Sequence, residues 1–324
     1  MMTGTKKCIA AATFLFACLS GPLPSFAQKS GTLSKNAEAE APAFRPATPA
    51  TATLTSARKP DESWIPEDID RAVPPVSPGV ACSLPAVLEG AGQRIKELMQ
   101  NVDRFTATEV LVQQDINHSG QKGRGVTVKF DYLVSISEAR NGWLGVDEIR
   151  NRSHSLDLFP SHIATVGTPS LVLIFHPRYI SDFRARCEGL GEWRGQPAWQ
   201  VRFEQRADRP NHICSFIVSG SSYNVNLRGR AWVLADSFQV ARLETDIIES
   251  IPKIRLRLDH ETIEYRPVNS PANNLQLWLP SSAELYMDFR GHRFYRKHSF
   301  TNFKIFSVDM QYQTGDPKQS AFSQ

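Results

Sequence analysis

A chain of 324 residues that is 41% hydrophobic and 22% charged, with a formal net charge of +4, has the composition of a globular protein. The charge is small, and Arg and Lys alternate with apolar residues instead of gathering into a basic stripe with stacking aromatics, which argues against nucleic-acid binding. Beyond the first twenty residues no run of about 18 apolar residues occurs, so no membrane-spanning helix is expected in the mature chain.

The chain opens with the pattern of an export signal. Lys6 and Lys7 precede an apolar run from Cys8 to Leu19, and Ser25-Phe26-Ala27 places small residues before Gln28. Residues 1–27 therefore read as a signal peptide cut after Ala27, giving a periplasmic or extracytoplasmic product. The alternative takes Leu15-Phe16-Ala17-Cys18 as a lipid-attachment box with Cys18 anchored to a membrane. Residues 28–80 are rich in Ala, Pro, Thr and Ser and poor in large apolar side chains, too poor to offset the entropy of ordering. They read as a disordered arm, with Glu67, Asp68 and Asp70 solvated and Trp64 as the centre of any segment that docks an envelope protein partner.

Residues 81–312 hold the folded domain, and 313–324 form a tail. A helix is predicted after Ser83, because Leu84, Val87, Leu88, Ala91, Ile95, Leu98, Met99 and Val102 recur at helical spacing. Gly90 and Gly92 weaken it, so it needs packing against something. Strands follow at 105–114 and 126–136, the second placing Val126, Val128, Phe130, Tyr132, Val134 and Ile136 on one face, and then at 143–149. Gly120, Gly123 and Gly125 between them lack the Gly-Lys-Ser/Thr of a phosphate loop and read as a hairpin connection.

Thr168-Pro169 starts a short helix that Leu171, Val172, Ile174 and Phe175 make apolar nearly all round and Pro177 ends; such a helix among strands should be enclosed by them. FRARCEGL (183–190) and AWQVRFEQ (198–205) pair across a turn at 192–195, with Trp199, Val201 and Phe203 on one face. ICSFIV (213–218) leads to a hairpin over 228–246 turning at Asp236–Ser237. The stretch 252–265 opens with strict alternation, placing Ile254, Leu256 and Leu258 together. The stretch 277–300 is broken at Pro280 and then turns at Gly291–His292. That turn sets Phe289 opposite Phe294, Met287 opposite Arg296, Leu285 opposite His298 and Ala283 opposite Phe300, so Arg296 and His298 stand on an otherwise apolar side.

Chemical motifs are missing. There is no His-Glu-x-x-His, Cys-x-x-Cys, Gly-x-Ser-x-Gly or dinucleotide-binding glycine turn, and the eight histidines are scattered. No enzyme activity, metal or cofactor is expected. After signal cleavage Cys82, Cys187 and Cys214 remain. Strand spacing keeps Cys187 from Cys214, Cys82 with either is open, and Cys187 by parity reads as an inert core thiol.

Several weak signals occur in one order along the chain: Gly167-Thr168-Pro169 opening the short helix, Gly195-Gln-Pro-Ala-Trp199 at a turn, GRAWVLADSFQVARLETD (229–246), and a strand ending at Tyr265 followed by Leu277-Trp-Leu-Pro280. Together they resemble outer-membrane lipoprotein-sorting and lipoprotein-carrier proteins of the LolA-like type over most of residues 84–310. The resemblance implies a mainly β (α+β) fold, a curved antiparallel sheet forming an unclosed barrel with helices covering its concave face. It also implies an apolar cavity between them for a lipid, an acyl chain or lipoprotein acyl chains, or else a non-transporting sensor module of the envelope. The candidate contacts in that cavity are Leu171, Ile174 and Phe175 of the short helix, Trp199 and Phe203, Leu256 and Leu258, and Leu285 and Met287. Arg296 and His298 would meet a polar or anionic headgroup at its mouth, unless an internal carboxylate satisfies them.

Overall fold

The structure is a computed structural model that describes residues 4–7, 64–138, 144–151, 163–166, 168–270 and 275–306. Its strands in chain order are β1 (Gly4–Lys7), β2 (Arg104–Ile116), β3 (Val126–Glu138), β4 (Leu144–Asn151), β5 (Ile163–Val166), β6 (Phe183–Trp193), β7 (Gln196–Gln205), β8 (Ser215–Val218), β9 (Ser221–Asn224), β10 (Leu227–Leu234), β11 (Val240–Ile247), β12 (Leu256–Ser270), β13 (Leu275–Phe289) and β14 (His292–Phe306). Ten of them form one antiparallel sheet in the order β4-β3-β2-β14-β13-β12-β11-β10-β7-β6. The end strands β4 and β6 do not pair, so the sheet is an unclosed barrel, mainly β. The strand-order step from β2 to β14 joins the two ends of the domain in mid-sheet. The step from β7 to β10 skips the hairpin β8–β9, which belongs to a second, four-stranded sheet, β5-β1-β8-β9.

One face of the large sheet is apolar because its strands alternate. In β2, Phe105, Ala107 and Leu111 point to this side, and in β3, Phe130, Tyr132 and Val134 do. The helix α1 (Leu84–Asn101) covers part of it, burying Val87, Ala91 and Ile95. Ser83 supplies its backbone carbonyl to the Val87 N–H (3.0 Å) and no side-chain cap. Gly90 has a local reason: a Cβ there would stand 2.4 Å from Cγ of Phe238, whose ring lies against the helix. A 3-10 helix, Thr168–Phe175, fills the space between α1 and strands β11 and β13.

Three expectations of register are corrected. The strict alternation of 252–258 fails because a bulge between Leu256 and Leu258 inserts Arg257 into β12. Leu256 stays on the apolar face, while Leu258 turns to the opposite one, and Ile254 belongs to a 3-10 turn (Pro252–Ile254) before the strand. Strand β13 runs through Pro280, tolerated because it sits beside a second bulge, opposite Tyr265. The last hairpin turns at Arg290–Gly291, both left-handed (φ 56° and 82°), as a type I′ turn requires. Leu285 is therefore opposite Arg296, Ala283 opposite His298, Met287 opposite Phe294 and Phe289 opposite His292. This shift of two residues preserves which side each faces.

The folded part begins earlier than residue 81. From Trp64 to Cys82 the chain forms a strap across the outer face of the sheet. Trp64 packs with Ile116 and Tyr295, and Leu258 and Tyr286 border them. Ile69 is fully buried, and its N–H donates to an Asp246 carboxylate oxygen at 3.3 Å. Asp68 pairs with Arg228, and Asp70 accepts from Arg202 (2.7 Å) and Arg228 (3.1 Å). Asp68 and Asp70, expected in solvent, are thus the strap's anchors, because strand alternation raises a row of arginines on that face, while Glu67 is exposed as expected. The arm's remainder, residues 28–63, lies outside the described residues, as do Cys18, Ala27 and the tail 313–324. Lys6 and Lys7 of the expected leader belong to β1, which pairs parallel to β5 and antiparallel to β8. Cys187 is not a core thiol: it forms a disulfide with Cys82 where the strap crosses the β6 edge, while Cys214 is buried and takes no part in that disulfide.

Candidate functional site

The short helix is the centre of the concave side. Leu171, Ile174 and Phe175 are 0% exposed, and Val172 and Leu173 are nearly so, so five consecutive apolar side chains are enclosed. Phe175 meets Phe203 of β7 edge-to-face at 5.7 Å, and Phe203 meets Phe183 at 5.9 Å. Trp199 packs at the border of the same core. Leu256, Leu285 and Met287 line the sheet beneath. Of the candidate contacts only Leu258 is elsewhere, under the strap. The expected open cavity is filled at this place by the helix itself. What remains between α1, Val172 and strands β11–β13 is about 30 Å³, lined in part by Ile95, Leu98, Tyr265 and Trp278, room for about one water. An open cleft of about 480 Å³ lies farther along, where the C-terminal turn of α1 approaches β3, β4 and His176. Met99, Ile136 and Leu144 supply its apolar lining, and Lys96 and Arg178 its positive charges, with Asp103 beside them.

Arg296 and His298 face inward, as parity requires, but deep inside and not at a mouth: they are 1% and 2% exposed. An internal carboxylate meets His298. Glu109 of β2 lies 2.7 Å from His298 Nδ1 and accepts from Arg150 at 2.6 Å and 3.1 Å, a two-pronged contact; Arg150 also lies 3.2 Å from Glu148. Burial works to raise the Glu109 pKa, but the His298 hydrogen bond and the Arg150 charge outweigh it and hold the carboxyl at about 2. Burial lowers the His298 pKa, against the pull of Glu109, and so favours the neutral ring. Burial and the neighbouring Arg150 charge lower Arg296 to about 9.

Arg296 Nε donates to Gln113 Oε1 at 2.7 Å, across the β2–β14 pair. Glu109, Gln113 and Arg150 were missed in the sequence. The first two carry a readable signal, since they occupy the inward parity of β2 beside Ala107 and Leu111, where a polar residue is unusual. Among the described residues no helix is long and apolar enough to cross a membrane.

No family model matches the sequence, and no curated protein is significantly similar to it. Among solved structures, a DUF1329 family protein from Desulfovibrio piger aligns over 69% of this chain and 94% of its own, with 10% identity and a TM-score of 0.39. A LolA superfamily protein from Nitrosomonas europaea aligns over 70% and 96%, with 13% identity and a TM-score of 0.35. A domain described as outer membrane lipoprotein-sorting, from Vibrio parahaemolyticus, aligns over 71% and 94%, with 12% identity and a TM-score of 0.36.

Proposed function

We propose that this chain is an exported envelope protein that binds or carries a lipid, an acyl chain or the acyl chains of a lipoprotein in the trough of its open sheet. The observation that carries the reading is the enclosed 3-10 helix, Thr168–Phe175. Five apolar side chains in a row, wrapped by a sheet and a helix, have the length and chemistry of a short hydrocarbon chain in an apolar groove. Their burial is worth about 10 kcal/mol at roughly 2 kcal/mol each, so the helix stays in place until something equally apolar replaces it. The cleft beside Met99, Ile136 and Leu144 adjoins the C-terminal end of this plug and is the point of entry in this reading. The disulfide between Cys82 and Cys187 supports an oxidising compartment, in keeping with an export signal. A trough filled by its own chain also suits a module that senses or scaffolds envelope proteins without carrying anything, so the two readings need a decisive measurement.

An environment-sensitive fluorescent fatty acid is titrated into the delipidated protein while amide exchange is followed in residues 168–175. Saturable binding with faster exchange in the plug is the expected result. Absence of binding at tens of micromolar, with the plug equally protected, would leave the non-transporting module. Native mass spectrometry after mild purification identifies what is bound, a lipid mass or a retained protein partner.

A further inference from the structure

We propose that the small sheet is a peptide slot: once the leader is removed, the place of β1 takes an extended segment of a partner polypeptide with apolar residues at alternate positions. The inference rests on the export reading, because only a cleaved leader gives up that place, and it adds a second kind of ligand. Strand β1, Gly4–Lys7, lies inside the stretch read as leader. It is paired on both sides, parallel to Ile163–Val166 of β5 and antiparallel to Ser215–Val218 of β8. In the order β5-β1-β8-β9 it stands between the two. Strands lie about 4.8 Å apart, so β5 and β8 flank a gap of about 10 Å, the width of one strand. A cut after Ala27 takes β1 away and leaves the backbone groups that it met on both edges without those partners. Such edges are templates for strand addition, and a strand set between two of them forms roughly twice the main-chain bonds of one added to a single edge.

The β8 side of the slot is held in shape without β1. On its other side β8 pairs with β9, from Ser215 opposite Asn224 to Val218 opposite Ser221. Its burial alternates, with Phe216 and Val218 in the main core and Ser215 and Ile217 half-buried. The Phe216 ring lies 5.7 Å from that of Phe289 at the end of β13, which ties the strand to the large sheet. The register also states what the occupant should be. Positions 4 and 6 are paired with Val218 and Phe216, the two residues on the core side, and positions 5 and 7 with Ile217 and Ser215. Period-two alternation makes apolar residues the natural choice at the first pair of positions, where the leader supplies glycine and lysine. The leader thus matches the slot in backbone and mismatches it in residue type, as suits a segment that gives way to another.

N-terminal sequencing of the exported protein comes first. A chain that begins at Gln28 meets the premise, and an intact N-terminus overturns the export reading together with the slot. The mature protein is then titrated with a capped, fluorescein-labelled peptide of residues 3–7 and with its Lys6→Val form, followed by anisotropy, while amide exchange is read in residues 215–218. Both peptides should bind saturably and slow exchange in β8, the Lys6→Val form about threefold or more tightly. Methylating the backbone nitrogen of Thr5 in the peptide should weaken it about tenfold or more, because a main-chain donor is lost and the pairing obstructed. Absence of binding by either peptide, or binding that leaves exchange in β8 unchanged, overturns the slot and leaves the export reading standing. Slow exchange in β8 of the mature chain before any peptide is added means that the slot is filled from within, which overturns the partner. A Lys6→Val peptide no tighter than its parent overturns the apolar pattern assigned to the occupant.

Discussion

Glu109 is the residue in which the interior chemistry is most concentrated. A carboxyl with 0% exposure would ordinarily be neutral, and it is held ionised by His298 on one side and the Arg150 guanidinium on the other. Its folded pKa of about 2 lies below the ordinary 4.5. Such a group contributes stability that is present above pH 4.5 and is lost as the pH falls towards 2; a shift of this size is worth about 3 kcal/mol. His298, lowered from 6.5 by burial, acts in the same direction, since below pH 6.5 the unfolded chain takes up the proton more readily. Urea unfolding followed from pH 7 to pH 2.5 should therefore show a steep acid limb in the wild type. In Glu109→Gln the limb below pH 4.5 should be flatter, and stability at pH 7 lower by a few kcal/mol because Arg150 loses its two-pronged contact with a charged carboxylate and keeps Glu148. Parallel limbs for the two proteins would mean that Glu109 is not the group responsible. The inward side of β14 was legible because period-two alternation places Arg296 and His298 beside Phe294 and Phe300 whatever the exact turn. Arg257 shows the limit: an inserted bulge leaves no mark in the residue pattern, and a single extra residue sent Leu258 to the other face.

At the scale of elements, the same reasoning separates what propensity encodes from what packing imposes. Helix α1 has the apolar spacing of a surface helix, yet it carries glycine at 90 and 92, each of which lowers helix propensity by about 1 kcal/mol relative to alanine. The structure explains Gly90 through Phe238, a residue with left-handed backbone (φ 56°) in the turn between β10 and β11, which sends its ring onto the helix. The pair is 148 positions apart, and nothing local in either segment announces the contact. Gly90→Ala, which on an isolated helix would stabilise, should here destabilise by about 1–3 kcal/mol, as overpacking does. Phe238→Ala should cost a similar amount through lost packing, but the double variant should be less damaged than the sum of the two. Strictly additive losses in thermal unfolding would place Phe238 away from the helix. The plug is the contrary case. Its enclosure was readable from an apolar run too short and too uniform for a surface helix, and Leu171→Asp or Ile174→Asp should each be severely destabilising because the carboxylate would have no partner.

For the whole molecule, the decisive feature is how the strap joins the two sides of the sheet. An arm of Pro, Ala, Val and acidic residues is poor in large apolar side chains; what composition omits is the surface that residues 64–82 lie on. Strand alternation puts Arg202, Arg228 and Arg230 on the outer face, and the strap answers with Asp68, Asp70 and the Ala72 carbonyl, the last 3.2 Å from Arg230. It then covers edge strand β6, where the Ser77 N–H donates to the Leu190 carbonyl at 2.7 Å, and so shields an edge that would otherwise be open to pairing. The disulfide fixes the crossing, closing a loop between residues 105 apart in sequence. In chain-entropy terms such a closure is worth roughly 2–5 kcal/mol. A chain beginning at residue 61 loses β1 of the small sheet but keeps the whole strap, and so serves as the reference for it. One beginning at residue 77 loses the burial of Trp64 and Ile69 and leaves Arg202 without Asp70, about 5 kcal/mol in all. At roughly 2–4 °C per kcal/mol it should melt 10 °C or more lower. Replacing Cys82 and Cys187 together by Ser should give a separate loss of roughly 2–5 kcal/mol, abolished when both proteins are measured under strong reductant. If the chain beginning at residue 77 melts with the full-length protein, the strap is a passenger on the sheet, and its ion pairs contribute no more than exposed pairs generally do.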